Sequence, residues 1–133
     1  MIKKAGTILI NKHDIGLIYR DFYDDYSFPK GHIEEGEGSL ECAIRETNEE
    51  TKREVIVLKE EPIYEDNYKD SKGNDCNCLY YLVRDNGKSD NDSEEVHDLV
   101  WISFNKVEEV LSYDSLKTLW NSIKKEVEKY LED

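Results

Sequence analysis

Apolar residues along the chain fall into short runs that predict strands, and the polar stretches between them predict turns. Two runs, at 5–10 and 15–19, flank a polar tetrapeptide and predict a β-hairpin. Later strands are expected where β-branched and aromatic residues concentrate, at 54–58, 62–68, 76–83 and 99–102. Residues 85–95 are polar, contain a glycine and lack an apolar anchor, so this segment is expected to be a mobile loop.

Helical spacing of apolar residues follows a glycine-rich loop and recurs near the end of the chain. Ser39 is expected to be the N-cap of the first helix, whose inward stripe comprises Leu40, Ala43, Ile44, Thr47 and Thr51. Ser103 is expected to cap a brief helix that ends at Leu111, and Asp114 a longer one. The longer helix has an apolar stripe of Leu116, Leu119, Trp120, Ile123, Val127, Tyr130 and Leu131. This order predicts an α/β (α+β) fold, a mixed sheet covered by helices on two faces.

Three carboxylates share one side of the first predicted helix, because Glu46, Glu49 and Glu50 are three and four residues apart. Two unit charges 4 Å apart repel by roughly 4 kcal/mol at an effective dielectric constant of about 20. A hard divalent cation, Mg²⁺ or Mn²⁺, is the natural partner of such oxygen ligands, and Arg45 is placed to orient the carboxylates that do not bind it. The alternative is a solvated acidic face, which is common in acidic chains.

The loop and the helix together match a long, position-specific pattern. Gly31, Glu37, Arg45-Glu46 and Glu49-Glu50 have the spacing of the Nudix box, G-x5-E-x7-R-E-U-x-E-E-x-G-U, where U is a large apolar residue. The chain therefore resembles the Nudix hydrolases, and the resemblance extends from about residue 5 to the final helix.

The departures from the box are at structural positions. Thr47 and Arg53 stand where apolar residues are usual, and Lys52 replaces the glycine that ends the helix. A non-glycine residue in the left-handed conformation costs about 1 kcal/mol. Either Lys52 bears that cost or the helix ends differently, so these departures concern the helix end and leave the acidic residues intact.

The resemblance implies an α/β/α sandwich and metal-dependent hydrolysis of a diphosphate linkage, typically in a nucleoside diphosphate joined to another group. It implies Mg²⁺, which Mn²⁺ can replace, with Glu46, Glu50 and the Gly31 carbonyl as ligands. Glu49 is expected to bridge a metal or act as a base, and Glu37 and Arg45 to orient the cluster. Some members of the family take the base from a later loop. Here Glu95 is expected to serve as that base or as a metal ligand, with Glu94 and His97 as alternatives.

The segment 29–32, Pro-Lys-Gly-His, is more specific than the box. It is similar to the corresponding sequence of diadenosine tetraphosphate hydrolases, as is an aromatic residue four positions before the lysine, here Tyr26. Lys30 and His32 are expected to contact phosphates, Lys72 to reach a distal phosphate, and Tyr26 and Tyr80 to contact the bases. Further aromatic candidates are Tyr64, Tyr68 and Tyr113.

Three functional hypotheses remain open at this point. The first is a hydrolase of dinucleoside polyphosphates such as diadenosine tetraphosphate. The second is a Nudix hydrolase acting on ADP-ribose, a nucleoside triphosphate or another nucleoside diphosphate derivative. The third is a non-catalytic nucleotide-binding module, which typically lacks a carboxylate of the box.

Composition limits the classes of molecule that the chain is expected to bind. With 133 residues, a net charge of −13 and a pI near 4.6, the chain is expected to form one domain, 1–133, that does not bind nucleic acids generally or anionic membranes. No apolar run approaches the roughly 20 residues of a membrane span, and the N-terminus lacks the apolar core of a signal peptide. Three cysteines, Cys42, Cys76 and Cys78, argue against a disulfide framework. The sequence therefore predicts a cytoplasmic protein that acts on a small nucleotide, and leaves its oligomeric state open.

Overall fold

Eight strands form one sheet in the computed structural model, which describes residues 1–132. The strands are β1 (Ile2–Asn11), β2 (Asp14–Arg20), β3 (Asp25–Ser27), β4 (Lys30–His32), β5 (Arg53–Val57), β6 (Tyr64–Lys69), β7 (Asp75–Lys88) and β8 (Asp98–Ser103). The predicted hairpin is β1–β2, with Leu9 opposite Gly16. Asp133, the last residue of the predicted domain, lies outside the described residues.

The sheet is mixed because two of its strands run in parallel. β1 and β7 pair in parallel from Ile2–Cys76 to Ile10–Arg84, and every other strand pairing within residues 1–132 is antiparallel. Residues 5–10 of β1 are all buried, as expected for a central strand covered on both faces.

Three helices cover the sheet: α1 (Ser39–Thr51), α2 (Val107–Val110) and α3 (Asp114–Glu128). α1 packs on one face against Ala5 and Tyr81, while α2 and α3 pack on the other through residues that include Trp120. The predicted α/β/α sandwich is therefore confirmed. Within residues 1–132, each helix is too short or too polar to cross a membrane.

The helix ends differ from the predictions by one residue. Gly38, not Ser39, is the N-cap of α1, and the Ser39 hydroxyl shares a hydrogen bond of 2.6 Å with the Tyr81 hydroxyl. Tyr113, not Asp114, is the N-cap of α3. The brief helix after Ser103 is a 3-10 turn, Phe104–Lys106, followed by α2.

The predicted helix stripes are largely buried. Ala43, Thr47 and Thr51 of α1 are buried, whereas Leu40 and Ile44 are half-buried. In α3 the buried residues are Leu116, Leu119, Trp120, Ile123 and Val127. Tyr130 and Leu131 lie beyond the end of α3 and are partly buried against the same core.

The predicted loop at 85–95 is shorter than expected, because its first four residues, 85–88, belong to β7. This part of β7 pairs with β5, with Arg53 opposite Lys88 and Val55 opposite Asp85. The Asp85 side chain also accepts two hydrogen bonds of 2.7 Å from Arg53 and a third of 3.0 Å from Asn11. Arg53, which departs from the Nudix box, therefore joins the start of β5 to β7. The remainder of the segment is hydrogen-bonded to the end of α1.

Candidate active site

Three carboxylates converge between α1 and the loop that precedes β8. One oxygen each of Glu46, Glu49 and Glu95 lies within 4.8 Å of the other two. Glu46 is buried, Glu49 half-buried and Glu95 exposed, so the group extends from the protein interior to the solvent. These are three of the five residues predicted to bind a metal.

Gly31, a fourth predicted ligand, lies directly against this group. A Cβ atom at Gly31 would overlap the carboxylate of Glu46, so any other residue here would force that carboxylate to move. The Gly31 carbonyl also accepts a long hydrogen bond of 3.6 Å from the Cys42 thiol.

Glu50 lies one turn after Glu46 and is only 7% exposed. Its Oε1 accepts a hydrogen bond of 2.9 Å from the Lys30 backbone N–H, and its Oε2 lies 3.6 Å from His97 Nε2. Burial and the neighbouring Glu46 raise the pKa of Glu50 to about 8. Burial also raises the pKa of Glu46, although Arg45 opposes this shift. A bound cation would compensate both buried charges.

Arg45 holds the acidic side chains in place. It donates two hydrogen bonds to Glu37, at 2.6 and 3.0 Å, one to Glu46 at 2.9 Å and one to Glu49 at 3.2 Å. A further hydrogen bond of 3.1 Å joins it to the His32 carbonyl and hence to β4. The guanidinium lowers the pKa of Glu37 to about 2, so that carboxylate stays ionised. The predicted orienting contacts of Glu37 and Arg45 are therefore present.

The donor chemistry of this cluster fits a hard divalent ion. Its side chains are carboxylates, which Mg²⁺ and Mn²⁺ prefer as ligands. They lie at the boundary between a buried helix face and solvent, where an ion has access and where mutual repulsion is strong.

A cavity of about 450 Å³ lies on the α3 side of the sheet. Its lining includes the cations Lys4, Arg20 and Lys30 and the aromatic rings of Tyr68 and Tyr113. A smaller cavity of about 170 Å³ shares Lys4, Arg20, Ser27 and Lys30 with it and extends to Gly31, His32 and Glu50. The two cavities together lead from the aromatic rings to the acidic helix.

Two lysines of the larger cavity lie near an aromatic ring, and its arginine is hydrogen-bonded to a carboxylate. The Lys30 ammonium lies 5.1 Å from the Tyr68 ring centroid, and the Lys4 ammonium 5.8 Å from it. Burial lowers the pKa of Lys30. Arg20 donates two hydrogen bonds to Asp25, at 2.8 and 2.6 Å, and Asp25 also accepts one from the Tyr113 hydroxyl.

The predicted substrate contacts are met only in part by this geometry. Lys30 and His32 line the cavities. Tyr80 is completely buried, with its ring 5.9 Å from that of Phe28, so the prediction that it contacts a base is wrong. Tyr26 is the strand neighbour of Ser27, which lines both cavities, and its own ring packs 4.9 Å from Tyr19 instead.

Lys72 lies in the turn between β6 and β7, whose Asp70 and Ser71 line the larger cavity. Its contact with a distal phosphate stays a prediction.

Sequence reasoning missed Arg20 and Lys4 as cavity residues. Arg20 and Asp25 are cross-strand partners in the β2–β3 pair, and their opposite charges were the available signal. Lys4 comes from the start of β1, where only the sheet register decides which side chains meet.

The fold and the site agree with one family. A model of the NUDIX domain matches residues 2–127. The chain belongs to the Nudix family. The family match and the similarity to two nucleotide phosphatases confirm the prediction of a Nudix pyrophosphohydrolase. This class of enzyme generally uses divalent metals.

Two curated relatives are similar to this Nudix chain. It is 27% identical over 129 residues to the asymmetrical bis(5'-nucleosyl)-tetraphosphatase of Caenorhabditis elegans, covering 90% of this chain and 92% of that protein. It is 28% identical over 116 residues to the 8-oxo-(d)GTP phosphatase of Mycolicibacterium smegmatis, covering 86% of this chain. The match spans 35% of the mycobacterial protein, about a third of its length.

Solved Nudix structures share the fold at lower identity. A binary complex of C. elegans Ap4A hydrolase superposes with a TM-score of 0.80 and 21% identity, covering 98% of this chain and 100% of the other. A Nudix hydrolase from Nitrosomonas europaea superposes with a TM-score of 0.78 and 14% identity, covering 94% and 89% of the two chains. At 14–21% identity, these superpositions show that the fold is shared.

Proposed function

We propose that this Nudix protein hydrolyses dinucleoside polyphosphates such as diadenosine tetraphosphate, with Mg²⁺ as its cofactor and Mn²⁺ as a substitute. The observation that carries the proposal is the cavity in which Lys4, Arg20 and Lys30 lie beside Tyr68 and Tyr113. A dinucleoside polyphosphate combines several negative charges with two flat bases. Similarity to the C. elegans tetraphosphatase over most of both chains also supports it.

The cations of the cavity suit the phosphate chain. Lys30 and Lys4 both lie near the Tyr68 ring, so they attract phosphates locally. The protein as a whole, with a net charge of −13, repels them. His32 lies where the smaller cavity approaches Glu50, between these cations and the acidic helix. Phosphates held here extend toward the carboxylates.

Aromatic stacking is proposed for Tyr68 and Tyr113, in place of Tyr26 and Tyr80. A base stacked on an aromatic side chain gains about 1–3 kcal/mol. The Tyr113 ring is held by its hydroxyl on Asp25, which reduces the loss of side-chain freedom on binding.

Glu46, Glu49, Glu50 and Glu95, with the Gly31 carbonyl, are proposed to hold the divalent ions. When bound, such ions neutralise charge on the phosphates and lower the pKa of coordinated water. Arg45 keeps Glu46 and Glu49 in position and Glu37 ionised. Glu49 and Glu95 are the proposed acceptors of the proton from the attacking water, because they are the more exposed members of the cluster.

The test is a panel of nucleotide substrates with Mg²⁺ and with Mn²⁺, scored by the products. Diadenosine tetraphosphate is expected to give ATP and AMP. Rapid hydrolysis of ADP-ribose or a nucleoside triphosphate, with no turnover of diadenosine tetraphosphate, would contradict the proposed substrate.

A nucleoside triphosphate substrate is the second candidate, favoured by similarity to the 8-oxo-(d)GTP phosphatase. The same panel, with an oxidised purine triphosphate included, distinguishes the two. A non-catalytic module is less favoured because all charged positions of the Nudix box are retained.

We also propose that the protein is cytoplasmic. Its three cysteines are free and buried, as is usual for proteins of a reducing compartment.

A further inference from the structure

The loop that carries Glu95 is fastened to the end of α1 by a set of hydrogen bonds around Lys52 and Asn91. The Ser89 N–H donates to the Lys52 carbonyl at 2.9 Å, and Lys52 Nζ donates to the Asn91 carbonyl at 2.7 Å. Asn91 Nδ2 donates to the backbone carbonyl and to Oδ1 of Asn48, at 2.8 and 2.7 Å. Both ends of the loop are held, since the His97 N–H donates to the Glu50 carbonyl at 2.9 Å.

Within the loop, hydrogen bonds continue from Asn91 to Glu95. Asn91 Oδ1 accepts from the Ser93 N–H at 2.9 Å, and Ser93 Oγ accepts from the Glu95 N–H at 3.0 Å. The backbone position of Glu95 is therefore fixed relative to α1 through Asn91.

Lys52 occupies a backbone conformation that favours glycine. Its φ is 58° and its ψ 34°, in the left-handed region, where a β-carbon is unfavourable. Glycine would adopt this conformation more readily but has no ammonium to donate to Asn91. The strain at Lys52 is accompanied by the hydrogen bond that its ammonium donates to the Asn91 carbonyl.

Electrostatics explains why this loop needs a cation. Residues 90–95 include four carboxylates, Asp90, Asp92, Glu94 and Glu95. Repulsion from Glu46 and Glu49 opposes the approach of such a loop to α1 when no metal is bound. The Lys52 ammonium offsets part of that repulsion at the point of attachment.

We propose that Lys52 and Asn91 are positioning residues that hold Glu95 against Glu46 and Glu49, ready to bind a divalent ion. This inference rests on the proposed function, in which Glu95 is a metal ligand. In this view Lys52 ends α1 and also positions a metal ligand.

The test compares Lys52→Gly and Asn91→Ala with the wild type by calorimetric titration with Mn²⁺ alone and by hydrogen exchange of the amides in 89–97. Both variants are expected to bind Mn²⁺ about 10-fold more weakly, as when the groups that orient a ligand are removed. The amides of Ser93 and Glu95 are expected to exchange faster. The melting temperature of Lys52→Gly is expected to equal or exceed that of the wild type, since strain is relieved.

Lys12→Gly is the matched control. Lys12 also has a left-handed backbone, with φ 56°, but lies in the turn between β1 and β2. The control removes the same charge and the same strain and is expected to leave Mn²⁺ affinity unchanged. A purely structural role for Lys52 predicts the same result for both lysines.

A double mutant separates this inference from the proposed function. Combined with Glu95→Gln, Lys52→Gly is expected to cause no further loss of Mn²⁺ affinity, because the ligand it positions is already lost. Wild-type affinity in Lys52→Gly and Asn91→Ala, beside weakened binding in Glu95→Gln, would overturn the inference and leave the proposed function standing. Wild-type affinity in Glu95→Gln would also overturn it, and a wild-type protein that binds no Mn²⁺ would overturn both.

Discussion

Gly31 shows how one residue type can be required for the geometry of the site. Its lack of a side chain leaves room for the Glu46 carboxylate directly against β4. Spacing in the sequence identified Gly31 together with Glu46, but the reason for a glycine there is the contact between two elements that are separate in the chain.

We predict that Gly31→Ala lowers kcat by roughly 100-fold, as expected when reacting groups are displaced by about 1 Å. The added methyl group must push the Glu46 carboxylate away from the cluster. Steady-state kinetics with Mg²⁺ measures the effect, and circular dichroism verifies that the fold is kept.

Gly38→Ala is the control for this substitution. At Gly38 a Cβ would come no closer than 3.1 Å to Glu41, which lies outside the acidic cluster, so kcat is expected to stay at the wild-type level. Equal activity of the Gly31 and Gly38 variants would show that the close approach has no role in catalysis.

Glu50 links the site to stability. Its pKa of about 8 in the metal-free fold is above its ordinary value of 4.5, so the folded state binds more protons than the unfolded state between these two values. The free energy of unfolding contributed by this group is therefore fully present below about pH 4.5 and is lost as the pH rises toward 8.

We predict that wild-type protein in EDTA loses stability between pH 5 and pH 8, by at most about 1.4 kcal/mol per pH unit from this one group. Urea unfolding at several pH values measures it. Glu50→Gln keeps an oxygen for the Lys30 N–H and is expected to flatten the dependence. An unchanged slope in that variant would locate the pH dependence elsewhere.

At the scale of elements, α3 decides which tyrosines are accessible. Tyr80 and Tyr68 come from neighbouring strands, and in the sequence they are equivalent half-buried sheet residues. The core beneath α3 includes Phe28 and covers Tyr80, whereas Tyr68 lines the cavity next to Lys30. Strand alternation predicts faces, but the extent of a covering helix is a tertiary property, which explains the wrong assignment of Tyr80.

We predict that Tyr68→Leu raises KM for diadenosine tetraphosphate by roughly 10-fold with little change in kcat, since base stacking contributes about 1–3 kcal/mol. The matched control is Tyr26→Leu, which removes a ring that packs on Tyr19 instead. Initial-rate measurements of KM and kcat on both variants show which of the two tyrosines contacts the base. A larger rise in KM for the Tyr26 variant would return the base contact to the residue chosen from the sequence.

Segment 85–95 illustrates the same limit. Its polar composition predicted a loop throughout, but Asp85 lies in β7 and is paired with Arg53, and Asn91 is bound to Asn48 and Lys52. Polar side chains can anchor a loop as apolar ones do, and only the fold shows that their partners are near. Glu95 was chosen as a candidate from the sequence, whereas the residues that hold it were not.

For the whole molecule, the sequence predicted the layers well and the cavities poorly. The apolar periodicities define a mixed sheet between helices, and the box defines the acidic side of α1. The cavity depends on how β6 pairs with the first half of β7 while β5 pairs with its second half, a register that no local pattern specifies. Lys30 was predicted from the sequence, whereas Lys4 and Arg20 could be assigned to the cavity only from the assembled sheet.

The central claim is that the carboxylates of α1 and of the loop before β8 bind divalent ions beside the phosphates of a nucleotide. Crystals grown with a non-hydrolysable diadenosine tetraphosphate analogue and soaked in millimolar Mn²⁺ test it most directly. We predict anomalous density between Glu46, Glu49 and Glu95, with the analogue's phosphates next to Lys30. No anomalous density at these carboxylates, with the analogue clearly bound, would contradict the account.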